Sequence, residues 1–216
     1  MVLKLYGHTH STCTARVAAV LTEYKVPFEL VIVDLFKGEH KSPEYLAFQP
    51  FGQLPYINDD GLIIYESRAI SRYIAAKYRS NVSSAWLPLP EDIAKTAKFE
   101  QAVNTEAFKF DAFASTAAFE LFWKPGGPDA EYAKKLLENL NASLDAYEVI
   151  LSKQKYLAGD ELTLADIFHL PYANLLHNAK HINLEDEKRP NVARWWKELS
   201  TLPSWLAVKD GVKSPA

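Results

Sequence analysis

The sequence predicts an α/β domain over residues 1–79 followed by an all-α domain over residues 91–216. Three observations carry this reading. The hydrophobic period changes repeatedly before residue 80 and stays near 3.6 after residue 90. Ser80 to Pro90, rich in serine and proline, breaks the periodicity and reads as a linker. The 216 residues are 48% apolar and 24% charged, enough for two packed cores and far from the composition of a disordered or disulfide-dense chain.

Leu3 to Tyr6 reads as a short strand, and Arg16 to Leu21 as a helix packed by its apolar face. After Pro27, Phe28 to Val33 is β-branched and mostly apolar, the pattern of a strand buried on both faces. Together these make a βαβ unit. Leu54 to Ile57 and Leu62 to Tyr65 read as two strands joined by Asn58-Asp59-Asp60-Gly61, whose turn chemistry favours a hairpin. Glu66 to Tyr78 follows as a helix. A βαβ unit followed by a ββα unit is the element order of a thioredoxin-like domain. Past the linker, Ile93–Trp123, Tyr132–Leu151, Leu164–Lys180 and Val192–Leu199 carry apolar residues at helical spacing, with the breaker Pro125-Gly126-Gly127-Pro128 between the first two. Thr163 and Asp166 form a capping-box variant flanked by Leu162 and Ile167 at staple positions, which assigns them to folding.

Charge and composition exclude several functions. Nine basic and eight acidic side chains precede residue 85, and fifteen and nineteen follow it. Nucleic-acid binding needs a concentrated basic surface, and neither half supplies one. No apolar run reaches the length of a signal h-region or a membrane span, so the expected address is the cytosol. The single cysteine, Cys13, makes neither an internal disulfide nor a cysteine-based metal cluster, and no metal is expected.

Four segments carry candidate chemistry, each beside a plainer alternative. His40 and Lys41, in Gly38-Glu39-His40-Lys41, place two potential cations side by side for a carboxylate, or are a solvated loop tip. In Pro50-Phe51-Gly52-Gln53-Leu54-Pro55, a cis bond at Pro55 would leave the Leu54 main chain free to pair with an extended peptide; a trans proline on an edge strand is the alternative. Glu66 and Ser67 combine a carboxylate with a hydroxyl and free amides where a strand meets a helix, suiting an α-amino acid, unless Ser67 is only an N-cap. Ser11, before the first helix, caps it or donates a hydrogen bond to an anion there; no strained elbow surrounds it, and hydrolase chemistry is set aside. Together the four sites fit an extended peptide with two carboxylates, one ammonium and a sulfur, which is the chemistry of glutathione.

With these residues in view, the sequence resembles the cytosolic glutathione transferases, and most of all their phi class. The strings that carry the likeness are Ser11 with Ala15-Arg16-Val17, Gly38 to Pro43, Gln49 to Pro55, Tyr65 to Ile70, Phe119 to Pro125, and Leu162 to Asp166. The resemblance implies the cytosolic glutathione transferase fold, a homodimer, glutathione as co-substrate with no resident cofactor, and a hydrophobic electrophile as second substrate. It puts the catalytic serine on Ser11 and the glycyl carboxylate on His40 and Lys41. Gln53 and the Leu54 main chain would take the cysteinyl part, Pro55 the family's cis-proline, and Glu66 with Ser67 the γ-glutamyl end. Phe36, Phe119 and Trp123 would wall the electrophile. For Phe119 and Trp123, four apart on one helix, a core role is equally open; Phe113 and Phe122 are expected in the core. Ser11-Thr12-Cys13 also resembles the motif of the zeta-class isomerases, and the fold recurs in non-catalytic binding modules. Cys13 reads as a small buried filler or as a thiol that exchanges with glutathione.

Overall fold

The structure is a computed structural model that describes residues 2–82 and 86–215; residues 83–85 of the predicted linker lie outside the described residues. The chain forms two compact units, Met1–Ala85 with Leu202–Ala216, and Trp86–Thr201.

In the first unit, β1 (Leu3–Gly7), α1 (Thr12–Glu23) and β2 (Phe28–Ile32) form the parallel βαβ unit, with Leu3 opposite Phe28 and Gly7 opposite Ile32. After a turn of 3₁₀ helix at Glu39–Lys41 and the short α2 (Pro43–Leu46) come β3 (Tyr56–Asp59), β4 (Leu62–Tyr65) and α3 (Ser67–Lys77). The sheet order is β2-β1-β3-β4, with β3 antiparallel to both β1 and β4. The core holds Leu3, Leu5 and Ile57 of the sheet, Val17 to Leu21 of α1 and Ile70 and Ile74 of α3, and α1 packs on α3. A second cluster joins Val33, Tyr45 and Tyr56, with Tyr6, Leu54 and Ile63 packed against it.

Two strand readings are corrected. β3 starts at Tyr56 rather than Leu54, because Pro55 has no N–H to give the ladder. The pairing then runs to Asp59 opposite Leu62, and the turn shrinks to Asp60-Gly61, both at positive φ (55° and 93°), as a two-residue I′ turn requires. β2 is not buried on both faces. It is the edge strand of the sheet, and Ile32 is half exposed.

In the second unit, α4 (Ile93–Thr105) and α5 (Ala112–Ala118) belong to one helical stretch that ends at Trp123. The predicted span holds, but Glu106–Asp111 and Phe119–Trp123 are wound as π-helix, an insertion that hydrophobic spacing does not reveal. α6 (Ala130–Leu151) buries Leu136, Leu140, Leu144, Tyr147 and Leu151 and packs against α5 and α9 (Pro190–Ser200). The predicted helix Leu164–Lys180 is two helices, α7 (Leu164–Ile167) and α8 (Leu170–Asn178), since Pro171 cannot donate back to Ile167.

The capping box at Thr163 and Asp166 is present, with Ile167 buried and Leu162 half-buried at the staple positions. Asp166 does more than cap. Its carboxylate accepts from the Leu157 N–H, the Trp195 Nε1–H, and both the N–H and the hydroxyl of Thr163, all at 3.0–3.1 Å. Beside it, His169 Nδ1 lies 2.9 Å from the Ala165 carbonyl. A carbonyl cannot donate, so Nδ1 carries a proton, and Nε2 is hydrogen-bonded to the Tyr147 hydroxyl at 3.0 Å. A buried polar network of imidazole, phenol and capped carboxylate thus ties α6, α7 and α9.

The segment after α9 was read as part of the helical domain. Its contacts place it instead with the first unit, where the last helix, α10 (Pro203–Leu206), packs on α1.

Candidate active site

Strand register brings three of the predicted segments to one end of the sheet. Tyr56 pairs with both Tyr6 and Tyr65, so the start of β3, the end of β1 and the end of β4 lie side by side. Beyond that row come Gln53-Leu54-Pro55, the loop from His8 to Ser11, and Glu66-Ser67.

Ser11 is the N-cap of α1, and its Oγ accepts from the Thr14 N–H at 3.3 Å. Capping and chemistry do not compete here. A hydroxyl accepts with its lone pairs and donates with its hydrogen, so capping leaves the proton to give to a group at the helix end, where the first-turn amides also point.

The Leu54–Pro55 bond is cis. The Leu54 side chain packs on the Val33, Tyr45 and Tyr56 cluster, while its main chain stays outside the ladder that begins at Tyr56. The Tyr45 hydroxyl donates to the Gln53 carbonyl at 2.7 Å and fixes the approach to this segment; the Gln53 side chain is exposed.

Lys41 Nζ donates to the Phe51 and Gly52 carbonyls at 3.1 and 2.8 Å, which sets the 3₁₀ turn beside the residues before Gln53. His40 and Lys41 were read as two cations, and the structure divides them. Burial, with the neighbouring ammonium, holds the His40 imidazole below its ordinary range, so at neutral pH the charge belongs to Lys41.

Glu66 sits at φ 71°, a left-handed conformation that costs a residue with a side chain about 1–3 kcal/mol. Glu66, not Ser67, is the N-cap of α3, which removes the reading of Ser67 as a mere cap. Ser67 is buried, and its Oγ accepts from Arg16 Nη1 at 2.9 Å. The sequence reading missed this arginine. Arg16 is 1% exposed inside the apolar stretch of α1, and a buried guanidinium without partners is prohibitively costly; that mismatch was the available signal. Its Nη1 also lies 3.5 Å from Cys13 Sγ. Cys13 is half-buried and in contact with a cation, so it is not the fully enclosed filler expected.

Phe36 is 96% exposed. The Asp34 carboxylate accepts from the Phe36 and Lys37 N–H groups at 2.9 and 3.1 Å, and these bonds hold its carboxyl below the usual range. The ring meets His8 edge-on, with centroids 6.5 Å apart.

In the helical unit, Phe119 and Trp123 are 51% and 48% exposed, which removes the core reading for both. Phe122 is also exposed, against expectation, and lies edge-on to His181 because π winding turns it out of the core. Phe113 is half-buried. Glu120 pins this turn, accepting from Lys124 Nζ and the Asp129 N–H at 2.6 Å each. Among the described residues no cluster of His, Cys, Asp or Glu is arranged to hold a metal, and no helix is long and apolar enough to cross a membrane.

Comparison with known proteins places this arrangement. Residues 1–76 match the model of the glutathione S-transferase N-terminal domain, and residues 110–203 that of the C-terminal domain. Glutathione S-transferase PM239X14 of Arabidopsis thaliana is 48% identical over 212 residues, covering 95% of each chain. The crystal structure of poplar glutathione transferase F1 superposes with a TM-score of 0.90 at 38% identity, covering 96% of each chain. Maize glutathione S-transferase I, solved with an atrazine glutathione conjugate, gives 0.86 at 33% identity over 97% of each chain. The mixed four-stranded sheet with its capped α1, the helical second unit and these full-length matches have one reading: the chain belongs to the glutathione S-transferase family, among relatives of the plant phi class.

Proposed function

We propose that this transferase joins the glutathione thiolate to hydrophobic electrophiles, with Ser11 as the residue that stabilises the thiolate. The observation that carries the reading is the Ser11 hydroxyl at the α1 N-terminus, which accepts from the Thr14 N–H as N-cap and keeps its own hydrogen available. Serine is too weakly acidic to act as a base, so it works by donation. A free thiol with a pKa of about 8.5 is about 3% ionised at pH 7. One hydrogen bond to the thiolate plus the helix-end amides, lowering it to about 6.5, ionises about three-quarters. That is a rate gain of about 25-fold from thiolate supply alone.

The remaining residues bind and orient. Lys41 supplies the charge for the glycyl carboxylate, with His40 as a neutral neighbour. The Leu54 main chain pairs with the cysteinyl part in the manner of an added strand, with Gln53 beside it and Pro55 turning the chain. Ser67, its lone pair taken by Arg16, donates to the γ-glutamyl carboxylate, and Glu66 faces the ammonium. Phe36 in the first unit, and Phe119 and Trp123 in the second, are the exposed aromatics offered as contacts for the apolar electrophile. The maize relative solved with an atrazine conjugate supports an aryl halide as the model substrate. The reading includes a homodimer, a cytoplasmic address and a glutathione peroxidase side activity of the same thiolate.

The test is conjugation of an aryl halide by the wild type and Ser11→Ala. We expect kcat to fall at least tenfold with the glutathione KM little changed. Unchanged turnover refutes the role of Ser11. Dominant maleylacetone isomerisation by the wild type would move the assignment to the zeta-type reaction.

A further inference from the structure

The segment that returns to the first unit reaches the loop that carries Ser11. Trp205 and Val208 are buried there, and Val212 is fully buried. The Val212 N–H donates to the Thr9 carbonyl at 2.9 Å, two residues before Ser11. Gly211 makes that approach possible. It adopts φ 144°, and a Cβ there would fall 3.1 Å from Thr9 Cγ2 and 3.5 Å from His10 Cε1. Two residues on, Ser214 Oγ accepts from the Leu30 N–H of the edge strand β2 at 2.9 Å, a second and separate anchor of the segment.

Three further hydrogen bonds lie within the loop and the first turn of α1. The Ser11 N–H donates to the His8 carbonyl at 3.0 Å, the His10 N–H to His8 Nδ1 at 3.3 Å, and the His8 N–H to Thr14 Oγ1 at 3.4 Å. Two of these bonds are long, and all are local to residues 8–14. The bond from Val212 ties the loop from outside, and at 2.9 Å it is shorter than any of them.

We infer that Gly211 and Val212 are positioning residues for Ser11, clamping the Thr9 carbonyl so that the serine hydroxyl is held on the glutathione sulfur. Hydrogen-bond strength falls steeply with misdirection, so a loosened loop supplies a weaker donor to the thiolate without changing the contacts made at His40, Lys41, Leu54 or Ser67. This rests on the Ser11 reading above, and Ser11→Ala belongs in the same experiment.

The test is the pH profile of kcat for aryl-halide conjugation in four proteins besides the wild type: a chain ended after Asp210, Gly211→Ala, Ser214→Ala and Ser11→Ala. His8, His10, Cys13 and Arg16, the ionisable groups nearest Ser11 in sequence, are intact in all; on the packed segment the shortened chain loses Lys213 and ends in a new carboxylate beside Asp210, whereas Gly211→Ala leaves Lys209, Asp210 and Lys213 in place and changes no charge. The shortened chain and Gly211→Ala are expected to lose five- to tenfold in kcat at pH 6.5, to move the profile's midpoint upward by about one pH unit, and to keep the glutathione KM within twofold. Ser214→Ala, which cuts only the bond to β2, is expected to match the wild type. Gly211→Ala carries the test alone if the shortened chain does not fold. A profile in both strap variants identical to wild type overturns the inference, as does a fall in kcat with no movement of the midpoint, which is the mark of a structural role. If Ser11→Ala itself leaves the profile unmoved, the Ser11 reading fails first.

Discussion

Replacing Asp166 by alanine strips partners from four donors at once, and the cost follows from where those donors sit. Leu157 and Trp195 are almost fully buried, so their N–H groups find no water when the carboxylate goes. Each orphaned donor costs about 1–3 kcal/mol. The Thr163 N–H and hydroxyl are half-buried and rehydrate in part; their loss is that of a helix cap, about 1 kcal/mol. The total is about 3–7 kcal/mol, comparable with the whole stability of an ordinary domain. Burial raises the Asp166 carboxyl above its usual range while the hydrogen bonds pull it back, so part of this gain is already offset in the wild type and the lower half of the range is expected. The assay is urea unfolding followed by tryptophan fluorescence and circular dichroism. Asp166→Asn keeps one oxygen and should lose about half as much. A loss under about 1 kcal/mol for the alanine variant, or a loss for asparagine larger than that for alanine, would refute the accounting.

Three further outcomes follow from the same geometry. Asp59 accepts from Lys77 Nζ at 2.6 Å and the Tyr73 hydroxyl at 2.7 Å; burial opposes its ionisation, but these bonds prevail and hold its carboxyl below the ordinary range. Its stabilisation is therefore complete above about pH 4 and lost as pH falls through the lower folded value, so Asp59→Asn should flatten the acid limb of a stability–pH curve and cost about 1–3 kcal/mol at neutrality. Arg16→Met removes the donor to Ser67 and should raise the glutathione KM about tenfold or more with a smaller effect on kcat, as steady-state kinetics will read. Trp123→Ala should raise the KM for an apolar electrophile several-fold while leaving thermal stability within 1–2 °C, because the ring is half exposed; a large drop in Tm would return it to the core.

The fold was legible where local pattern and tertiary role agree. The two domain classes, the element order and the capping box at Thr163 all read from spacing and cap chemistry. The misses share a cause, namely that the deciding interaction lay far along the chain or in the backbone itself. Strand β2 has the composition of a central strand, and only the sheet order makes it an edge. Pro55 displaced the start of β3 by two residues and carried the turn with it. Nothing in side-chain spacing announces π winding at Phe119, yet that winding turned Phe122 outward. Trp205, Val208 and Val212 are spaced as an apolar helical face, but the pattern cannot say that the face belongs to the first unit.

The site was legible as a set of residue types and not as a division of labour. Ser11, Leu54, Glu66 and Ser67 were placed by motif, and register explains why three separate segments meet. The neutral state of His40 depends on burial that no sequence shows. The backward contact from Arg16 to Ser67 spans 51 residues, and its only trace was a charge inside an apolar helix.

The measurement that tests the central claim most directly is the ultraviolet absorbance of the glutathione thiolate bound to the protein, titrated against pH in the wild type and in Ser11→Ala at saturating glutathione. The account predicts a wild-type midpoint near pH 6.5, about two pH units below free thiol, and a midpoint at least one unit higher without the hydroxyl. Coincident titrations for the two proteins would contradict it.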